Sequence, residues 1–258
     1  MKVASLSDAI RCDMAMLLLN DIIEKIWINQ MNSNGWSRPA TEWWADAISA
    51  VKQKYPNVKF LIEVYWGLNG KLQSLGFDYT YDKDLYDKLT SDNLDDLRSY
   101  INGVGIDYLT KSAHFVENHD QERAVVNFGS PNRAVAAALI TMTLPGMRFN
   151  FMGQWQGKKN TLVVQLRRSK SEPVDPYVQN FYNGFIPIIA HPVFHTGEWT
   201  YLPVTNSTQD YDLLSWKWAD PNTNEKRLVV LQVAKSFQWL ISEENICQVE
   251  EGSSGGLW

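Results

Sequence analysis

From Met14 to Trp27, the apolar residues Met14, Leu18, Ile22 and Ile26, with Leu19 and Ile23 beside them, recur at the spacing of one helix face. Asn20, Asp21, Glu24 and Lys25 occupy the other face, so the pattern predicts a helix there. Asn32, Asn34, Gly35 and Pro39 break the pattern before Thr41 opens a second helix that reaches Lys54. Pro56 stops it, and Val58 to Val64 has the composition of a strand. Helical spacing returns at Leu94, Leu97, Arg98 and Ile101 behind Asp92, and Ala113 to Val116 reads as a short buried strand. Ser130 followed by Pro131 is a helix start, with Ala134 to Met142 as the body. Pro145-Gly146 interrupts the chain before a strand-like run from Met147 to Met152, and Asp175-Pro176 opens another helix near Tyr177 to Phe185.

Strand, helix, strand, helix is the recurring order. Such alternation predicts a parallel sheet covered by helices, in which reactive side chains gather at the carboxyl ends of strands. After His195 the pattern changes: Leu213 to Trp218 and Arg227 to Val233 are strand-like runs separated by Asp220-Pro221-Asn222-Thr223-Asn224, which has hairpin chemistry. The expected organisation is an α/β domain over 1–194 and a small β-rich domain over 195–258.

Three of the apolar segments end in chemistry. Phe115-Val116-Glu117-Asn118-His119-Asp120 runs from a strand into two acids, an amide and an imidazole, and Ala9-Ile10-Arg11-Cys12-Asp13 and Phe60-Leu61-Ile62-Glu63-Val64 also carry charge at their ends. Charged groups beside a packed core are costly unless paired or used. An acid-rich strand end taken alone also fits a helix cap or a satisfied surface network; the company of the other two favours a site. A parallel sheet brings Asp13, Glu63 and Asp120 together. Three converging acids suit a hard or borderline metal ion, with His119 as a further ligand, or glycosidic chemistry. The latter needs one carboxylate and one protonated carboxyl, and neighbouring acids push one proton affinity upward.

Composition narrows the partners. At 258 residues and 45% hydrophobic, the chain can bury a substantial core, which argues against disorder. The net charge of -5, from 24 basic and 29 acidic residues without a sustained basic run, leaves no nucleic acid partner to expect. Cys12 and Cys247 form neither a disulfide framework nor a zinc pattern, which favours a cytoplasmic setting. Asp8, Arg11 and Asp13 fall where a signal sequence would be apolar, and no later run reaches membrane-spanning length, so a soluble chain without a membrane partner is expected. Aromatic residues make up 12% of the chain, with 11 Trp; most belong in cores. Tyr65 and Trp66, just past Glu63, are the leading candidates for a sugar platform, ahead of Trp155.

Taken in order and spacing, Ile10-Arg11-Cys12-Asp13, Ile62-Glu63-Val64 and Phe115-Val116-Glu117-Asn118-His119-Asp120 resemble three motifs of the α-amylase superfamily. The resemblance extends over most of the chain and includes Phe77-Asp78-Tyr79 and Leu144-Pro145-Gly146. It implies a partial (β/α)8 TIM barrel, about the fourth to eighth strand units, followed by a small antiparallel β domain. It further implies a retaining glycoside hydrolase or transglycosylase that acts on α-glucosidic bonds of an α-glucan or oligosaccharide through a covalent glycosyl-enzyme. No cofactor and no metal is implied. Position by position, Asp13 matches the nucleophile, Glu63 the acid that protonates the leaving oxygen and then activates water, and Asp120 the stabiliser of the distorted sugar. Arg11 would keep Asp13 ionised, and His119 would donate to sugar hydroxyls.

Departures from the family pattern carry expectations of their own. The family's nucleophile follows the fourth of eight barrel strands, yet Asp13 lies almost at the start of this chain. A fragment of a longer enzyme, or a truncated gene model, is therefore expected. The earlier family motif that supplies an aspartate and a histidine is absent from the sequence, as is the insertion that often helps hold calcium, so calcium is not expected. Ala9 stands where the family often has glycine, and Ala15-Met16 replaces basic residues, which weakens the case for starch in particular. The alternative function is a non-catalytic carbohydrate-binding or interaction protein derived from this fold, against which the retained acids argue. Oligomeric state has no signature in the sequence.

Overall fold

The structure, a computed structural model, describes residues 1–35, 37–91, 93–162, 165, 168, 170–204, 213–232 and 238–242. The chain forms two compact units, Met1–Ile189 and Ala190–Trp258.

In the first unit, β1 (Ala9–Cys12) is followed by α1 (Asn20–Asn32), α2 (Trp43–Lys54) and β2 (Lys59–Ile62). Next come α3 (Asn69–Ser74), β3 (Tyr79–Tyr81), α4 (Lys83–Thr90), α5 (Leu94–Gly103), α6 (Ile106–Thr110) and β4 (Ser112–His114). The unit ends with α7 (Ala124–Asn127), α8 (Pro131–Thr143), β5 (Met147–Arg148) and α9 (Pro176–Ile189). The five strands form one parallel sheet in the order β1-β2-β3-β4-β5. Its strand ends therefore lie side by side in the order of the chain.

The core explains why these segments fold as they do. Phe60 and Ile62 of β2 are buried with Trp44 and Ile48 of α2 and with Phe77, and each such burial contributes about 1.5–3 kcal/mol. A second cluster, Tyr81, Tyr86, Ala113 and Phe115, fills the space at β3 and β4. The Ser130 hydroxyl accepts from the backbone N–H of Arg133 to cap α8, with Pro131 in its first turn, as the sequence predicts.

Several boundaries differ from the expected ones. The helix expected over Met14 to Trp27 divides into a 3-10 turn, Ala15–Leu18, and α1. Met14 adopts the left-handed conformation (φ 42°), which turns its N–H onto Glu63 Oε2 at 3.2 Å and delays the helix. The strand run from Met147 to Met152 narrows to the two residues of β5, a terminal strand with β4 as its neighbour. The helix behind Asp175-Pro176 continues to Ile189 through Pro187, because Val178, Tyr182, Phe185 and Ile189 are all buried. Asn93 caps α5 by accepting from the Asp96 N–H at 3.1 Å. Asp92, Val233 and Cys247 lie outside the described residues. No pattern pointed to β3, α3, α4, α6 or α7, all of them short.

The second unit holds α10 (Val193–Thr196), β6 (Glu198–Tyr201), β7 (Leu213–Ala219), β8 (Lys226–Gln232) and β9 (Gln238–Ser242). Its strands form a separate antiparallel sheet in the order β6-β7-β8-β9. The expected hairpin joins β7 to β8: Asp220 Oδ1 accepts from the Asn222 N–H at 2.8 Å, and Asn224 supplies the positive φ of 59° that the turn requires. Among the described residues no helix is long and apolar enough to cross a membrane.

Candidate active site

Asp13 directly follows β1, Glu63 directly follows β2, and His119 and Asp120 lie in the loop beyond β4. The parallel pairing of β1 with β2, Cys12 opposite Ile62, puts Asp13 and Glu63 on neighbouring strand ends. Arg11 joins them. Its Nη1 donates to Asp13 Oδ1, and its Nη2 donates to Glu63 Oε2 at 3.0 Å. The guanidinium also lies over the Tyr81 ring, 5.6 Å from its centroid.

The two carboxyls occupy different surroundings. The side chain of Asp13 is 71% exposed, and the hydrogen bond from Arg11 holds its carboxyl below the usual carboxylate range. Glu63 is buried, at 4% exposure. Its Oε2 accepts from Arg11 Nη2 and from the Met14 N–H, and its Oε1 accepts from the Tyr65 hydroxyl at 2.6 Å. Burial, with the Glu63 carboxylate next, pushes the Tyr65 phenol well above its ordinary range, so it stays protonated.

His119 Nε2 lies 3.0 Å from Asp120 Oδ2, and both side chains are partly exposed. Asn118 shapes this loop: its Oδ1 accepts from the backbone N–H of Asp120 and of Gln121, each at 2.9 Å. Asp120 acts electrostatically on both Tyr65 and Tyr81, as Glu63 does, and His119 acts on Asp13. The seven candidates Arg11, Asp13, Glu63, Tyr65, Trp66, His119 and Asp120 therefore fall at one end of the sheet.

Glu117, the other acid of the charged strand end, points elsewhere. It is buried, takes a hydrogen bond from Arg123 Nη1 at 2.5 Å and accepts the Ala124 N–H at 2.6 Å, which caps α7. Arg123 in turn donates to the carbonyls of Met152 and Asn160 at 3.0 and 3.1 Å and lies over the Phe151 ring. The pair ties the loop after β4 to the loop after β5.

Trp66 is 62% exposed and has a left-handed backbone (φ 64°), followed by Gly67 at φ 67°. Met14 and Trp66, two of the three non-glycine residues with positive φ among the described residues, flank Asp13 and Glu63. Strained backbone of this kind concentrates at functional sites. Trp155 is 40% exposed, stacks on Tyr182, and donates from Nε1 to Asn150 Oδ1 at 3.3 Å.

Sequence reasoning passed over Tyr81, the floor beneath Arg11, and the buried Asp82–His114 pair beside it. The pattern Tyr79-Thr80-Tyr81 is too short to stand out as a strand. Among the described residues no group of three or more His, Cys, Asp or Glu side chains is placed to hold a metal ion.

No family model matches the chain, and no curated protein sequence does. Solved structures do. The maltose complex of cyclic α-maltosyl-(1→6)-maltose hydrolase from Arthrobacter globiformis aligns with a TM-score of 0.66 at 16% identity, over 90% of this chain and 51% of that one. A debranching enzyme from Nostoc punctiforme, soaked with acarbose, aligns with a TM-score of 0.64 at 14% identity, over 90% and 49%. An α-amylase from H. orenii aligns with a TM-score of 0.62 at 19% identity, over 90% and 52%. The chain thus spans about half the length of these structures.

Proposed function

We propose, for a chain that has the fold of the α-amylase superfamily, that it carries the catalytic half of a retaining glycosidase or transglycosylase acting on α-glucosidic bonds. The single observation behind the reading is Arg11, one guanidinium that binds a carboxyl at the end of each of two neighbouring parallel strands. Two acids on one guanidinium suit the separation of roughly 5 Å that retention of configuration requires. The solved structures that share the fold include a hydrolase complexed with maltose, which favours an α-glucan or oligosaccharide as substrate.

In this reading Asp13, kept ionised by Arg11, attacks C1 of the bound sugar while Glu63 gives its proton to the departing glycosidic oxygen. The C1–O bond breaks and an Asp13 glycosyl ester forms. Glu63, now a carboxylate, takes a proton from water or from an acceptor sugar, whose oxygen adds to C1 as the ester bond breaks. Asp120 and His119 hold the hydroxyls of the reacting ring, and Trp66 offers an exposed face for a neighbouring ring. The first unit is then part of a (β/α)8 barrel, about its fourth to eighth strand units, and the chain is a portion of a longer enzyme.

The test is turnover of malto-oligosaccharides, with the anomer of the first product read by NMR. We expect an α-product from the wild type and loss of turnover by at least about a thousandfold in Asp13→Asn and in Glu63→Gln. A β-product, or undiminished turnover in Asp13→Asn, overturns the assignment. Calorimetric binding without turnover supports the non-catalytic alternative.

A further inference from the structure

Glu63 must alternate between a protonated and an ionised form, and its two oxygens are not equivalent in this respect. Oε2 faces two obligate donors, the Arg11 guanidinium and the Met14 backbone N–H. Neither group can accept, so a proton on Oε2 would be directed at another hydrogen. Oε1 faces the Tyr65 hydroxyl at 2.6 Å. A hydroxyl donates or accepts according to its rotation. It donates to the carboxylate, and after a turn of the C–O bond it accepts from the acid.

We infer that Tyr65 is a positioning residue for Glu63, the reversible partner that keeps the transferable proton on Oε1. This rests on the proposed glycosidase reading and deepens it. The leaving oxygen must then approach Oε1 and take the place of Tyr65 as acceptor. As the proton passes to the glycosidic oxygen and the C1–O bond breaks, the Tyr65 hydroxyl turns back to donate to the new carboxylate. When water gives its proton to Oε1 in the second half, the hydroxyl turns again. Arg11 and Met14 keep their bonds to Oε2 throughout, so the carboxyl does not rotate between the two halves. The partly buried Tyr65 phenol stays protonated and is available for both roles.

The experiment compares two substrates in the full chain and in Tyr65→Phe, which removes the hydroxyl and keeps the ring. One is maltotetraose, whose sugar leaving group needs the proton; the other is α-maltosyl fluoride, whose leaving group needs little help. We expect kcat/KM for maltotetraose to fall about tenfold, the worth of one hydrogen bond to a charged group, and for the fluoride to fall less than about twofold. Equal losses on both substrates would mark Tyr65 as merely structural and overturn the inference, as would no loss on either.

A second measurement does not depend on turnover. The infrared carboxyl band that disappears in Glu63→Gln reports the protonated Glu63 directly. It should move to higher frequency in Tyr65→Phe, and an unchanged band overturns the inference. A full-length wild-type enzyme that turns over neither substrate overturns the glycosidase reading, while the infrared comparison still decides the role of Tyr65.

Discussion

Asp82 is fully buried just past β3, and its removal should be among the most damaging changes in the first unit. Oδ1 accepts from the Leu85 N–H at 3.0 Å, capping α4, and from the Tyr100 hydroxyl at 2.5 Å. Oδ2 lies 2.9 Å from His114 Nδ1, while His114 Nε2 donates to the Pro145 carbonyl at 2.7 Å. Asp82→Ala takes the buried carboxylate from the Tyr100 hydroxyl and His114 Nδ1 at about 1–3 kcal/mol each, and loses a cap worth about 1 kcal/mol. The total is about 4 kcal/mol. Asp82→Asn behaves differently. Its carboxamide oxygen still serves Leu85 and Tyr100, and its amide nitrogen keeps a polar partner beside Nδ1, so the cost falls to about 1 kcal/mol. Equilibrium urea unfolding reads the difference: at a slope of about 3 kcal/mol/M, Asp82→Ala shifts the midpoint down by about 1.3 M and Asp82→Asn by about 0.3 M. Equal shifts for the two variants would show that the network needs the carboxylate charge, and this account of its hydrogen bonds would fail. A negligible shift for Asp82→Ala would remove the network from the fold's support altogether.

Other perturbations follow from the site. Arg11→Gln removes the hydrogen bond that holds Asp13 below its ordinary range. In the proposed reading Asp13 must be ionised to attack, so the acidic limb of the pH profile for kcat/KM should move to higher pH; an unmoved limb counts against the pairing. The same lowering contributes stability above the unfolded-state value, lost as pH falls through the folded one, so Arg11→Gln should flatten the acid side of the stability profile. Glu117→Gln and Arg123→Gln each strand a buried partner and should cost about 3–5 kcal/mol in chemical unfolding, whereas the double variant should cost less than the sum. Trp66→Gly relieves the left-handed backbone and should leave the melting temperature unchanged or slightly raised, while calorimetric affinity for malto-oligosaccharides falls several-fold.

The strand ends were legible because parallel sheets display their chemistry in one place: Arg11, Asp13, Glu63, His119 and Asp120 each follow an apolar run that the sequence shows plainly. What decided their grouping was not legible. Met14 lies on the apolar face of a good helical pattern, yet its φ of 42° turns the N–H to Glu63 and moves the helix start to Asn20. Periodicity carries no information on such a reversal. Glu117 and Asp120 are both carboxylic residues three positions apart, but the first is paired with Arg123, a residue whose partnership only the folded loop reveals. Tyr81 escaped notice, since three residues of β3 give no alternation to count. Pro187 would conventionally end a helix, and the buried face of α9 carries it through.

In the proposed reading, one cation and two degrees of burial underlie the division of labour between the two carboxyls. Arg11 binds both, but Asp13 meets it at Oδ1 and is otherwise largely exposed, whereas Glu63 is enclosed and receives two further donors. An acid that never releases its proton and a nucleophile that never ionises are equally useless, so the site needs opposite preferences from chemically similar groups. What separates them is the kind of donor: Asp13 has a cation that cannot accept, and Glu63 has, on one oxygen, a hydroxyl that can. In the proposed reading the Tyr65 hydroxyl on the enclosed Glu63 is what sets that carboxyl apart from the exposed Asp13, and replacing Arg11 should remove the hydrogen bond that holds Asp13 low.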